Sequence, residues 1–380
     1  MDPKSYKNPN GQFVRISERD GYAFVPHSLP PKIPYDDTLI SLTASASLAL
    51  GELSGLGETL QNPNLLIIPY MRQEAVLSSK IENTRSTLDD LFLFEMNDSE
   101  ESRPPDVREV RNYLRAMEYG FSQIENTPLS LRFVRELHRI LLSDVRGQDR
   151  RPGDFRNGQV FIGSDQDIRK ALYVPPPVLE MKSALEQWEV FLHYSAQLPP
   201  LIQSALIHYQ FEAIHPFNDG NGRIGRLLIS IFLLHRGCMK RPLLFLSKYF
   251  ERTRQEYYLR LQKVSEASDW YGWLNYYLRG VEEQSRMNIE NAHKLLALQI
   301  DYRRRSESIS LPARALKVVD SLFENPFLQT ANVEKMLGVK HPTAQSYIDK
   351  MVSIGILKEI TGKSRNRIYF AHELQRLLQE

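Results

Sequence analysis

The sequence predicts a mainly α-helical protein with one small β-hairpin, followed by a C-terminal module of short helices and a second hairpin. Three observations carry this. Most of the 380 residues read as helical apolar patterns, and β-favouring runs are few and short. A helical pattern enters and leaves a single glycine-rich loop, His215 to Arg226. From Leu311 the pattern changes to short helices and two β-favouring runs.

Composition bounds the class. With 42% apolar and 25% charged residues the chain reads as globular, long enough for two or three domains. A net charge of +2 implies no global pull toward nucleic acid. The longest apolar run, Leu227 to Leu234, is too short to span a bilayer, so no membrane association is expected. The start, Met1-Asp-Pro-Lys, lacks the apolar core of a signal peptide. Cys238 is the only cysteine, which excludes an intrachain disulfide and fits a reducing, cytoplasmic location.

Residues 1–37 are rich in proline and aromatics and read as an extended arm packed on the body, because Tyr22, Phe24, Val25 and Ile33 need cover. Leu39 to Leu60 reads as a helix, and Asn62-Pro-Asn64 as a turn. One long helix is expected from Ile68 to Phe94, carrying Ser78 and Glu82 one turn apart on one face. Residues 95–105 are an acidic loop. Asp106 to Ile124 and Leu131 to Leu142 are helices. Gln159 to Ile162, bounded by Gly158 and Gly163, is expected to pair with Tyr173-Val174 as a hairpin. Val178 to Ala196 and Leu201 to Ile214 follow as helices, with Glu212 placed to orient His208. After the loop come an apolar helix, a helical stretch through Gly280, a helix from Glu282 to Ile300, and a charged linker, Asp301 to Ser308.

Ala313 to Phe323, Gln329 to Val339 and Lys340 to Ser353 read as three helices, with strands at Leu357 to Ile360 and Arg367 to Phe370. This order resembles a winged helix-turn-helix. Its wing carries Lys363, Arg365 and Arg367, and its third helix offers Thr343, Gln345, Ser346 and Lys350 to a groove. Residues 311–380 are therefore read as a DNA-binding module or, equally, as a protein-binding or dimerisation module.

The loop's chemistry is unusual for a connection. Gly220-Asn221-Gly222 can turn backbone N–H groups inward as an anion nest. The next helix adds its free N–H groups and positive dipole end. Arg223 and Arg226 share the first turns of that helix, where cations are disfavoured unless an anion binds. Two arginines there suggest a polyphosphate. Asp219 is a hard oxygen ligand suited to Mg²⁺ held against phosphates. His215 titrates near neutrality and can act as a general base.

His215-Pro-Phe-Asn-Asp-Gly-Asn-Gly-Arg-Ile-Gly-Arg226 resembles, without a substitution, the signature of the Fic (filamentation induced by cAMP) family. The resemblance implies a Fic-type helical bundle over about residues 20–290 and transfer of AMP from ATP to a Ser, Thr or Tyr hydroxyl of a target protein, or of the chain itself, releasing pyrophosphate. By position, His215 would deprotonate the hydroxyl, Phe217 would anchor the loop, and Asp219 would hold Mg²⁺. Gly220, Asn221 and Gly222 would bind the α- and β-phosphates, Arg223 would assist, and Arg226 would hold the γ-phosphate. Ser78, Glu82 and Asn83 match the family's inhibitory motif, in which Glu82 would pair with Arg226. Val160, Phe161, Ile162 and Gly163 look like the flap that docks the target by strand addition. Tyr257 and Tyr258 stand where the family places residues near the nucleoside, or are two core aromatics. The expected organisation is an arm and inhibitory helix over 1–100, a Fic core over 101–300, and a linker with winged helix over 301–380, with homodimerisation open. The alternatives are a DNA-binding regulator whose core senses nucleotide, transfer of UMP or phosphate, and removal of AMP.

Overall fold

In the computed structural model, residues 3–16, 21–60, 62–96, 105–143, 151–163, 167–193 and 198–379 are described. The centre is α7 (Pro200–Ile214), in which nearly every residue is buried. A helix apolar on all sides must be enclosed, and α6 (Val178–Leu192), α8 (Asn221–His235) and α11 (Trp270–Ser308) pack against it. Trp188 and Trp273 fix two of these contacts, donating to the carbonyls of Ile207 and Ala205 at 3.0 Å each.

The N-terminal segment differs from the expected arm. It forms an antiparallel pair, β1 (Gly11–Ile16) with β2 (Gly21–Pro26), in register Gly11↔Pro26 to Ile16↔Gly21. Phe24 is buried beside Tyr6 and Phe13, while Tyr22 stays 41% exposed. β2 also reaches Val174, whose carbonyl accepts the Phe24 N–H at 2.8 Å.

α1 (Asp37–Thr59), capped by Asp36, is long and apolar enough by composition to cross a membrane. The apolar run from Leu227 was the wrong segment to weigh. In the fold α1 lies along α11 and buries Leu39, Ala46, Leu50 and Leu53.

The long helix expected over 68–94 is two helices, α2 (Asn64–Ile81) and α3 (Leu88–Met96). The break has a local cause. Asn83 adopts the left-handed region at φ 70°, and Thr87 caps α3 by exchanging bonds with Asp90 (Thr87 N–H to Oδ2 2.8 Å, Asp90 N–H to Oγ1 3.1 Å). α4 (Pro105–Gln123) and α5 (Leu131–Leu141) complete the first layer. The acidic loop lies mostly outside the described residues.

The hairpin expected at 159–174 is reduced to one bridge, Ile162↔Tyr173. The chain between them is partly outside the described residues, and Ile168–Lys170 forms a 3₁₀ turn. The polypeptide then continues through α9 (Ser247–Arg252) and α10 (Arg254–Ala267) into α11. α11 runs unbroken for 39 residues, so the helix break at Gly280 and the charged linker at 301–308 are both absent. Tyr249 fills the space a side chain at 280 would need, and Asp301 pairs with Arg304 and Arg305 one turn on. The expected domain boundary at 300/301 thus falls inside one helix.

The C-terminal segment holds α12 (Leu316–Leu322), β3 (Phe327–Gln329), α13 (Thr330–Leu337), α14 (His341–Ser353), β4 (Lys358–Glu359), β5 (Ile368–Phe370) and α15 (His372–Gln379). The sheet order is β3-β5-β4, all antiparallel. β3 and α15 were not anticipated. The apolar core is continuous from Leu39 through Leu378.

Candidate active site

α7 delivers His215 and α8 begins at Asn221, so the loop between them is held at both ends by buried helices. His215 is the C-cap of α7 with φ 51°, an uncommon conformation for a non-glycine residue. Its Nδ1 faces the Glu212 carbonyl at 3.4 Å. Burial, then the nearby Arg156 charge, push the imidazole pKa down to about 4.

Phe217 is fully buried and lies flat on His138, with ring centroids 3.7 Å apart and planes at 9°. Asn221, 2% exposed, spans the loop from inside: its Oδ1 accepts the Phe217 N–H at 2.8 Å and its Nδ2 donates to the Phe217 carbonyl at 2.9 Å. The Asn221 side chain is therefore committed to the loop, and only its backbone can serve a ligand. Gly220 is the N-cap of α8 at φ 77°, and a Cβ there would fall 3.0 Å from Leu141.

Arg226 is buried and reaches three oxygens of the α2 end. Nε donates to Ser78 Oγ at 2.8 Å, and Nη2 to the Ser78 carbonyl and Glu82 Oε1, both at 2.9 Å. Burial disfavours the Arg226 charge, but Glu82, together with Tyr257, Glu212 and Tyr113, outweighs it and raises its pKa. Burial likewise opposes the Glu82 charge, and Arg226 overrides it to hold the carboxylate below its usual range. Glu82 Oε1 also lies over the start of α8, where a Cβ at Gly222 would sit 2.2 Å from it. An anion thus occupies a helix N-terminus against a buried arginine.

Arg223 is engaged differently, with Glu109 at 3.1 Å and Asp219 Oδ2 at 3.6 Å. Asp219 Oδ1 accepts the Gly220 N–H at 2.7 Å. No group of three metal-ligating side chains occurs among the described residues.

Two expected contacts are corrected. Glu212 does not orient His208, which instead bonds the Gly225 carbonyl (3.1 Å) and Tyr257 Oη (2.8 Å). Glu212 Oε1 packs on Gly225 with no hydrogen-bond partner, and burial, against the Arg226 charge, raises its pKa to about 8. Tyr257 is only 1% exposed and belongs to the aromatic core with Phe250, so it cannot face a nucleoside. Tyr258 is 44% exposed, its hydroxyl 3.5 Å from the Ile81 carbonyl, and Arg254 beside it donates to Asn83 at 2.8 Å.

In the flap, Ile162 turns both its N–H and carbonyl toward 172–173. Val160 and Phe161 are half-buried, Phe161 against the small cluster of Ala23, Ile168, Ala171 and Val174. In the C-terminal segment, Gln345 is not offered outward: it bonds Thr330, Asp349 and Tyr369.

Sequence reasoning missed four residues. His138 accepts the Gly153 N–H on Nδ1 at 2.9 Å, so Nε2 carries the proton to the Asp219 carbonyl at 3.0 Å. Arg156, 1% exposed, donates to the carbonyls of His215, Gly158 and Pro176 and ties the flap base to the loop. Glu109 holds Arg223. Glu74, buried on α2, accepts from Ser247 and Tyr113, and burial, opposed by the Ser247 bond, lifts its pKa to about 7. Only His138 had a local signal, standing beside Leu137 on the apolar stripe of α5.

Residues 40–122 match the Fic/DOC family N-terminal region, and residues 128–233 match the Fic/DOC family. The protein adenylyltransferases Fic of Drosophila willistoni and Drosophila virilis are each 32% identical over 154 residues, 40% of this chain. The chain spans 28% of the length of those relatives. Among solved structures, a Fic family protein from Desulfovibrio desulfuricans G20 superposes with a TM-score of 0.57 at 20% identity, covering 90% of this chain and 98% of its own. Fic-1 from C. elegans gives a TM-score of 0.51 at 19% identity, covering 67% and 74%. These two share the fold.

Proposed function

The chain belongs to the Fic/DOC family, and on that premise we propose that it is a protein adenylyltransferase held in check by Glu82. The observation that carries this reading is the Glu82 carboxylate on Arg226 over the first turn of α8. That is where a terminal phosphate of ATP would find N–H groups, a dipole and a guanidinium together.

Each residue then has a task. With His215 Nδ1 turned to the Glu212 carbonyl, Nε2 keeps its lone pair for a target hydroxyl. The hydroxyl oxygen attacks the α-phosphorus and its proton passes to Nε2. The bond from that phosphorus to the bridging oxygen breaks, and pyrophosphate leaves with the electron pair. The N–H groups at the start of α8 stabilise the charge that develops on the phosphoryl oxygens. The His138 bond to the Asp219 carbonyl and the Asn221 bonds to Phe217 keep the loop in shape before ATP arrives. The half-exposed Asp219 carboxylate, beside the Gly220 N–H and Arg223, suits Mg²⁺, which takes most of its ligands from phosphate oxygens and water. Bound there, Mg²⁺ would neutralise phosphate charge. The flap at Phe161 and Gly163 would pair with the extended target.

Glu82 blocks the productive pose. ATP must displace it from Arg226, and an ATP that binds without that contact leaves its α-phosphorus out of line with the attacking oxygen. The test uses ATP labelled at the α-phosphate with wild type, Glu82→Gly and Glu82→Gly/His215→Ala, each supplied with cell proteins. Covalent label should rise in the first variant and vanish in the second. Equal labelling of wild type and Glu82→Gly contradicts the inhibition, and labelling that survives His215→Ala contradicts the assignment of the base.

A further inference from the structure

We propose that the C-terminal segment is part of the switch: Gln375, Asn325 and the end of α15 are positioning residues that hold α2 and α3, and through them keep Glu82 on Arg226. This rests on the reading of Glu82 as the inhibitory carboxylate.

Glu82 sits at the C-cap of α2, and a short turn joins it to α3. A shift of either helix therefore moves the carboxylate. On the inner side α2 is fixed to the body, with Glu74 bound to Ser247 and the Tyr70 hydroxyl donating to the Asn288 carbonyl at 2.7 Å. On the outer side the holds come from the far end of the chain. Gln375 Nε2 donates to both oxygens of Asp89 in the first turn of α3, at 3.0 and 2.9 Å. Asn325 Nδ2 donates to the Phe92 carbonyl at 3.0 Å. Gln73 on α2 donates to the Leu378 carbonyl of α15 at 3.0 Å. The Phe92 ring lies 6.2 Å from Phe327, whose ring is tilted against Phe370 at 4.7 Å.

These links leave from the turn before β3, from β3 itself and from α15, and all close on the inhibitory segment. α15 is in turn bound to α11 by Arg305, whose guanidinium meets Glu373 at 3.0 Å. Since α11 also packs on α7 and α9, the frame runs from the catalytic body through α11 and α15 back to α3. The outer holds are amide hydrogen bonds at half-buried positions. The two to backbone carbonyls each shift an equilibrium by about two- to ten-fold, and the one to the Asp89 carboxylate by more, so losing any of them loosens this side of the segment.

The discriminating variant is Gln375→Glu, which sets a carboxylate against Asp89. In the full chain, covalent labelling from α-labelled ATP should rise several-fold over wild type. Asp89→Asn/Gln375→Glu exchanges the donor and acceptor ends of the same contact and should return labelling toward the wild-type level. In a Glu82→Gly background Gln375→Glu should add nothing, because the carboxylate being positioned is gone. Backbone hydrogen exchange over residues 64–96 should quicken in Gln375→Glu and slow again in the exchanged pair. If Glu82→Gly labels strongly while Gln375→Glu stays at the wild-type level, the positioning role is overturned and the proposed activity stands. If Glu82→Gly does not label, the activity reading fails, and exchange decides the hold by itself: unchanged exchange in Gln375→Glu overturns it.

Discussion

His215 is held as a neutral imidazole by its surroundings. Burial and the nearby Arg156 bring its pKa down to about 4, so the free base is present throughout the neutral range. The rate of label transfer by Glu82→Gly should be flat with respect to this group above about pH 5 and fall only below about pH 4, because Glu82, which raises the His215 pKa, is gone in that variant, read from a pH–rate profile. Replacing His215 by Ala in that variant should cost about 10²- to 10⁴-fold in rate. Asn221→Ala removes two buried bonds to the Phe217 backbone and should lower stability by about 1–3 kcal/mol in a denaturant melt. The residues of the loop itself were legible because they are contiguous and each has one chemical meaning there. His138, Arg156 and Glu109 were not, because the fold brings them to the loop from other elements. For Tyr257 the sequence left a nucleoside contact and a core aromatic both open, and its burial and its bond to His208 place it in the core.

At the scale of elements, the decisive contact is between the end of α2 and the start of α8. Spacing put Ser78 and Glu82 on one face, and the resemblance to the family's inhibitory motif implied the pairing; both meet Arg226. The break after Glu82 was not read, although Thr87-Leu-Asp-Asp90 carries a helix-start pattern within the apolar run. Thr87→Ala should remove the cap of α3 at a cost of about 1 kcal/mol in a urea melt. The flap was expected as a hairpin from its β-favouring residues, yet only Ile162 pairs. Two strands this short gain little from each other without a third partner.

For the whole molecule, one apolar core runs from α1 to α15, and α11 spans what the sequence suggested were two helical stretches and a charged linker. A run of charges reads as a linker locally, but i, i+4 pairs on a helix exposed on one side produce the same composition. The strands and helices of the C-terminal segment were legible one by one. Their closure on α3 was not, since it depends on single amide contacts between distant parts of the chain. The most direct measurement of the central claim compares ATP labelled at the α-phosphate with ATP labelled at the γ-phosphate, using the full-length Glu82→Gly chain and cell proteins. Stable α-label on protein, with γ-label released as pyrophosphate, is the expected result. γ-Label retained on protein, or no α-label at all, would contradict adenylyl transfer at this site.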